Sequence, residues 1–114
     1  MQWIPLTAPE QLAEVDAASQ AGAVLLFKHS TSCGISRMAL DRLERAWRSP
    51  NEAPMPAYFI DLWRHRDVSN AVELRYGIGH ESPQALVIAQ GRCVFDASHS
   101  AIRPEELQGM GTSS

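Results

Sequence analysis

The sequence has few of the features that mark secreted, membrane or nucleic-acid-binding proteins. Two cysteines in 114 residues are too few for the disulfide framework of a small secreted domain. No apolar run approaches the roughly 20 residues that a membrane helix needs, and the first residues lack the pattern of a signal peptide. The formal net charge of -3 offers no basic surface to a phosphate backbone. We therefore expect a cytoplasmic protein with no membrane and no nucleic acid among its partners.

The composition is that of one globular domain. Hydrophobic residues make up 45% of the chain and charged residues 20%, a mix that forms a core without disulfides or a structural metal. We predict a single domain over residues 1–108 and a flexible tail over residues 109–114, which are small and polar. The cysteines and histidines lack the paired spacing of zinc ligands, so no metal site is predicted.

Strand and helix patterns alternate along the chain. The near-continuous apolar run over residues 23–28 predicts a strand covered on both faces. From Cys33 onwards the apolar period becomes helical and continues until shortly before Pro50. The predicted buried face of this helix consists of Ile35, Ala39, Leu40, Leu43 and Trp47.

The second half of the chain continues the alternation. Residues 58–62 predict a strand, and the following helix is closed by Gly77. Residues 85–89 and 92–96 flank Gln90 and Gly91 as a β-hairpin. With a first helix over residues 7–21, a last one over 104–107 and a short strand near Trp3, the order predicts an α/β fold. We expect a thioredoxin-like arrangement, a central mixed sheet of about four strands with helices on both faces.

Cys33 is the predicted reactive group because it lies at the strand-to-helix junction. Unpaired backbone N–H groups and the positive end of the helix dipole favour a thiolate there, and a thiolate attacks disulfide sulfur. Gly34 adds no side chain, so a substrate sulfur can approach closely. Ser36 stands where a Cys-x-x-Cys enzyme has its second sulfur. Its hydroxyl can donate a hydrogen bond to the thiolate but cannot resolve a mixed disulfide, which predicts monothiol chemistry.

Several neighbours of Cys33 are candidates for supporting roles. His29, when protonated, would raise the thiolate fraction; holding its loop by hydrogen bonds is the alternative. Ser82 and Pro83 lie in the loop before the hairpin, which in thioredoxin-like folds faces the reactive cysteine. The backbone of Ser82 can pair there with a bound substrate like a short added strand. Cys93 could act as a resolving cysteine, but the favoured prediction is a buried small hydrophobe on the same strand face as Phe95.

Two stretches of the sequence resemble the signatures of the monothiol bacilliredoxins of the bacillithiol redox system. They are Phe27-Lys-His-Ser-Thr-Ser-Cys-Gly-Ile-Ser36 and His80-Glu-Ser-Pro-Gln-Ala85, and Ala97-Ser-His99 resembles a third. The resemblance spans residues 20–108. It implies a thioredoxin-like fold and a cytoplasmic location. It also implies removal of bacillithiol from S-bacillithiolated client proteins, with bacillithiol a co-substrate and not a bound cofactor.

The resemblance also implies roles for particular residues. Cys33 would be the attacking thiolate and Pro83 a cis proline. Because bacillithiol carries a malate group with two carboxylates, the basic residues Lys28 and Arg37 are candidates to hold it. Residues 64–66 form a further basic cluster, for which solvated surface charges are the favoured interpretation. The family usually has proline directly after the cysteine, where this chain has Gly34. The residue at this position tunes the redox potential and the thiol pKa of the cysteine.

Two other functions remain compatible with the residues. Ser30 and Cys33 have the Ser-x-x-Cys spacing with which some thiol peroxidases orient peroxide. Alternatively, a non-catalytic thioredoxin-like module would hold peptides in the groove beside Pro83, and Cys33 would be incidental. The thiol pKa of Cys33 and the consumption of peroxide separate these alternatives from a disulfide oxidoreductase.

Overall fold

The computed structural model describes residues 3–30, 34–46, 55–103 and 107. Within them, five strands form one mixed sheet in the order β1-β3-β2-β4-β5. The strands are β1 (Trp3–Pro5), β2 (Val24–His29), β3 (Ala57–Asp61), β4 (Gln84–Ala89) and β5 (Arg92–Ser98). The α-helices are α1 (Leu12–Ala21), α2 (Gly34–Ala46) and α3 (Arg66–Tyr76), and short 3-10 turns cover Pro9–Gln11 and His99–Ala101.

The sheet has one strand more than the expected four. The additional strand is β1, whose Trp3 pairs with Ala57 in parallel register, near the position where a short first strand was predicted. β2 and β3 are also parallel, as a strand–helix–strand crossover requires. β4 pairs antiparallel with β2, and β5 antiparallel with β4. The predicted α/β architecture is therefore confirmed.

β2 lies at the centre of the sheet, and each of its six residues is buried. Helices cover both faces of the sheet. Side chains of α1 and α3, including Val15 and Val72, pack with Leu26 on one face. Side chains of α2, including Leu43, pack with Phe27 on the other face. Because successive strand residues point to opposite faces, neighbours on β2 belong to different cores.

The buried face of α2 differs from the predicted one at its start. Ala39 and Leu43 are buried as predicted, and Leu40 is half-buried, whereas Ile35 is 53% exposed. The buried residue of the first turn is Ser36, which continues the helical spacing of Ala39 and Leu43. The apolar period predicted Ile35 on this buried face, but the structure has the hydroxyl group of Ser36 there. Trp47 lies outside the described residues.

The hairpin forms as predicted but contains an irregularity. Gln90 and Gly91 both have positive φ, 53° and 74°, as a tight two-residue hairpin turn needs. Val87 pairs with Phe95 while its neighbour Ile88 pairs with Cys93, so β5 carries one extra residue as a β-bulge. The predicted shared face of Cys93 and Phe95 is therefore wrong: Cys93 packs against the α1/α3 core and Phe95 against the α2 core.

The ends of the chain are described in part. Residues 109–114, the predicted tail, lie outside the described residues, as do 104–106 of the predicted last helix. Leu107 is buried in the α2 core. Among the described residues, no helix combines the length and apolarity that a membrane crossing demands.

Candidate active site

The candidate active site lies at the carboxyl ends of the two central parallel strands. β2 ends at His29, which is in register with Asp61 at the end of β3, and α2 begins at Gly34. This edge of a parallel sheet is where α/β folds place their ligands. Cys33 lies outside the described residues; it is covalently joined to Gly34, the first residue of α2. Its assignment as the nucleophile stays a prediction.

Gly34 is exposed and is not required by a close contact. A Cβ atom built at this position finds nothing within 4 Å among the described residues. Among the described residues, the surface at Gly34 itself is therefore open; the approach of a substrate sulfur to Cys33 stays a prediction.

Ser36 is fully buried and joins α2 to the end of β2. The backbone N–H of Ser30 donates a 3.0 Å hydrogen bond to Ser36 Oγ, and Ser36 Oγ lies 2.8 Å from His29 Nδ1. These contacts connect the residues on both sides of the segment that carries Cys33. The hydroxyl that replaces a second sulfur is therefore part of a hydrogen-bond network from the strand into the helix.

His29 does not have the environment of a protonated histidine. It is only 4% exposed, its ring centroid lies 5.4 Å from that of Phe59, and burial lowers its pKa despite the opposing influence of Asp61. The imidazole is thus neutral at neutral pH. The expected support of the thiolate by a resident imidazolium is not supported, and the alternative role, holding the loop by hydrogen bonds, agrees with the structure.

Lys28 points to the opposite face of the sheet from His29 and has no exposed surface. Its Nζ lies 3.4 Å from His80 Nδ1, which is also 3.1 Å from Ser69 Oγ. Burial lowers the pKa of Lys28, while Glu73 acts in the opposite direction. A fully buried ammonium group cannot contact a ligand carboxylate, so the expected role of Lys28 in holding bacillithiol is not supported by this structure. Arg37 is exposed on α2.

The loop before β4 reaches the same edge of the sheet. The Ser82–Pro83 peptide bond is cis, as the resemblance implied, and Gln84 directly after it pairs with Lys28. Ser82 Oγ is buried and has no hydrogen-bond partner among the described residues. The structure thus brings Ser82 and Pro83 to the same edge as His29, Gly34 and Ser36, although the two groups are far apart in the sequence.

His99 is a residue of this edge whose role the sequence did not assign. Its backbone N–H donates a 3.0 Å hydrogen bond to the carbonyl of Pro83, and its φ of 55° is positive. Its ring nitrogen Nε2 lies 3.7 Å from Glu81 Oε2, an ion pair when the ring is protonated. The sequence signal for His99 was the third stretch of the resemblance, residues 97–99. This stretch packs against the second stretch, residues 80–85.

Cys93 lies far from this edge. It pairs with Ile88, whereas Lys28 pairs with Gln84, and four residues of an antiparallel strand span about 13 Å. Its thiol is half-buried and donates to the carbonyl of Phe95 at 3.3 Å, and burial raises its pKa. These features describe an unreactive thiol at the turn end of the hairpin and give no support to a resolving role.

Similar structures agree with this architecture. A protein described as an oxidoreductase with a thioredoxin fold matches with 28% identity and a TM-score of 0.79, covering 94% of this chain and 91% of its own. The thioredoxin of Malassezia sympodialis matches with 18% identity and a TM-score of 0.72, covering 97% and 89%. The thioredoxin of Fasciola hepatica matches with 13% identity and a TM-score of 0.73, covering 96% of each chain. The fold is that of the thioredoxin-like proteins.

The family match is more specific than the fold. Residues 4–107 match the family described as Monothiol bacilliredoxin BrxC, nearly the whole chain. The chain belongs to this family, and its role is of the thiol-disulfide oxidoreductase type.

Proposed function

We propose that this protein removes bacillithiol from mixed disulfides on the cysteines of client proteins, with Cys33 as its single nucleophile. The observation that carries the proposal is Ser36. A buried hydroxyl, held by His29 and Ser30, occupies the place of the second sulfur of a dithiol enzyme. Family membership supports the same chemistry, and the reducing cytoplasm is the compartment in which it would operate.

The reaction consists of two thiol-disulfide exchanges. The Cys33 thiolate attacks the bacillithiol sulfur, the disulfide bond to the client breaks, and the client sulfur leaves as a thiolate. Cys33 then carries bacillithiol in a mixed disulfide. A second thiol, bacillithiol itself or another small thiol, attacks that bacillithiol sulfur and releases Cys33 as a thiolate. The bacillithiol leaves in a new disulfide with the attacking thiol.

Exposed residues around Cys33 fit these substrates. Ile35 is 53% and Met38 66% exposed on the first turns of α2, and they offer apolar contact to a client protein. Arg37, exposed on the same helix, is the remaining basic candidate for a malate carboxylate. The backbone of Ser82 beside the cis proline is the proposed docking edge for the extended substrate.

Intact mass spectrometry after mixing with bacillithiol disulfide tests the proposal. We expect one bacillithiol adduct on the wild type and on the matched control Cys93→Ala, and none on Cys33→Ser. A bacillithiolated model protein should then lose its adduct to a stoichiometric amount of the wild type without a second thiol, and to a catalytic amount of the wild type only when a second thiol is added. An adduct retained in Cys33→Ser contradicts the assignment of Cys33.

Two further measurements on the same protein distinguish the two other functions from this one. Rapid peroxide consumption without any transfer of bacillithiol would identify a peroxidase. A Cys33 thiol pKa near that of free cysteine, together with no adduct, would identify a binding module.

A further inference from the structure

The loop of residues 77–83, which joins α3 to β4, is attached to the rest of the molecule by the side chain of His80. The ring nitrogen Nδ1 of His80 lies 3.4 Å from Lys28 Nζ on β2 and 3.1 Å from Ser69 Oγ on α3. Lys28 and Ser69 are buried, whereas His80 is exposed. The imidazole is therefore open to solvent and at the same time closes over a buried ammonium group.

The contact with Lys28 fixes the protonation state of His80. An ammonium group has three hydrogens to donate and no lone pair that accepts. Nδ1 of His80 must therefore be the acceptor, so the ring is neutral and carries its proton on Nε2. An imidazolium has a hydrogen on both nitrogens, so no orientation of a protonated ring offers Lys28 an acceptor. Two cations would then face each other at the distance of a hydrogen bond.

The charges around His80 come from three elements. Glu73 on α3 and Glu81 on the loop favour an imidazolium. Burial, which is the largest influence, opposes it together with Lys28 on β2 and Arg66 on α3. The pKa of His80 is accordingly lowered from its ordinary value of 6.5. Protonation of His80 therefore weakens the attachment of the loop to β2 and α3.

Two further attachments of the loop use groups that do not titrate. Gln84 Nε2 donates to the carbonyl of Gly79 at 3.0 Å, and the backbone N–H of His99 donates to the carbonyl of Pro83 at 3.0 Å. A third attachment acts against release at acid pH, because His99 Nε2 lies 3.7 Å from Glu81 Oε2 and the pair is charged when His99 is protonated. Both of these side chains are exposed, so the attraction contributes little.

We propose that His80 is a positioning residue that holds the loop carrying Ser82 in place only while its ring is neutral, and that protonation of His80 releases this loop. One proton from solvent binds to Nδ1, no covalent bond between heavy atoms changes, and the ring leaves Lys28 and Ser69. Ser82 then no longer presents an ordered backbone to an extended substrate. This consequence for docking rests on the proposed function, whereas the release itself depends neither on Cys33 nor on bacillithiol.

Amide hydrogen exchange measures the release. The amide of His99 is hydrogen-bonded to Pro83, so its protection factor, which corrects for the intrinsic effect of pH on exchange, reports on the loop. In the released loop His80 titrates near 6.5, so the open fraction grows as pH falls below this value. We expect the protection factor to fall about tenfold between pH 7.5 and pH 5.5. The amides of β2 should stay better protected at both pH values, because the release is local.

The variant His80→Asn separates the charge from the contact. Its amide oxygen, near the position of Nδ1, accepts from Lys28 and Ser69 but takes up no proton. The His99 amide should then keep its protection factor over this pH range. His65→Asn, the matched control, removes a different histidine and should show the wild-type decrease. The proposal is overturned if the wild type shows no decrease, if His80→Asn shows the same decrease, or if His99 and β2 are equally protected.

A titration of the wild-type ring by NMR needs no substitution and stays informative if His80→Asn does not fold. We expect the pKa of His80 to lie below 6.5, and to move closer to this value in Lys28→Met, which lacks the facing cation. A wild-type pKa of His80 at or above 6.5 contradicts the proposal even if bacillithiol transfer is demonstrated. Failed bacillithiol transfer with the expected exchange and titration results would instead reject only the proposed function.

Discussion

At the residue scale, Lys28 shows how the environment sets the role of a side chain. It is the only lysine of the sequence, and its ammonium group is buried against His80. Among the described residues its hydrogen-bond partner is the His80 ring at 3.4 Å, and no close ion pair offsets the cost of desolvation, so the buried charge is destabilising. The lowered pKa of Lys28 is the consequence of this cost.

We predict that Lys28→Met stabilises the fold at neutral pH by about 1 kcal/mol or more. The folded protein binds the Lys28 proton less tightly than the unfolded chain does. Wild-type stability therefore gains a contribution as pH rises from the lowered pKa towards the ordinary value of 10.5. The advantage of Lys28→Met should accordingly shrink at alkaline pH.

Urea unfolding at pH 7 and pH 9.5 measures this effect. Arg42→Met, an exposed cation on α2, is the matched control and should change the free energy of unfolding by no more than about 0.5 kcal/mol. A loss of stability in Lys28→Met of the same size at both pH values would mean that the ammonium group is well satisfied.

At the element scale, α3 has an end that its sequence specifies. Gly77 adopts the left-handed conformation with φ 72°, and its N–H donates to the carbonyl of Glu73 at 2.9 Å. Only glycine takes up this conformation without a steric cost from Cβ. The terminus of α3 leads directly into the loop that carries Ser82 and Pro83, so its geometry also sets the course of that loop.

We predict that Gly77→Ala lowers the free energy of unfolding by about 1–2 kcal/mol, the cost of a left-handed alanine. Gly79→Ala is the matched control two residues later. An added Cβ there meets nothing within 4 Å among the described residues, and its φ lies outside the left-handed region. Chemical denaturation of both variants compares them; equal effects would contradict the conformational explanation.

At the scale of the whole molecule, the central sheet contributes to both hydrophobic cores. β2 is hydrogen-bonded on both sides, to β3 and β4, and it contributes side chains to both cores. β5 lies at the edge, and every second residue from Arg92 to Asp96 is exposed. Stability is therefore expected to decrease from the centre of the sheet to its edge.

We predict that native-state hydrogen exchange is slowest for the amides of β2 and β4 and faster for those of β5, because opening β2 requires disruption of both cores. Exchange measured by NMR under native conditions checks this order. Slower exchange in β5 than in β2 would show that the hairpin, and not the central strand, is the most stable unit.

The sequence by itself determined the features that depend on neighbouring residues. Helical and strand periods gave the element order, Gly77 the end of α3, and Gln90-Gly91 the hairpin turn, since each reflects local backbone preference. The two stretches around Cys33 and Pro83 were sufficient to predict the family and the thioredoxin-like fold.

Only the tertiary structure decided how the side chains of the site are used. Lys28 and His29 are adjacent in the chain, yet their side chains lie on opposite faces of the sheet. Lys28 contacts His80, 52 positions away, and His29 contacts Ser36. Burial makes one an inaccessible cation and the other a neutral base, and a bulge separates Cys93 from Phe95. These outcomes depend on contacts between distant residues and on the loss of water around them, which no local pattern records.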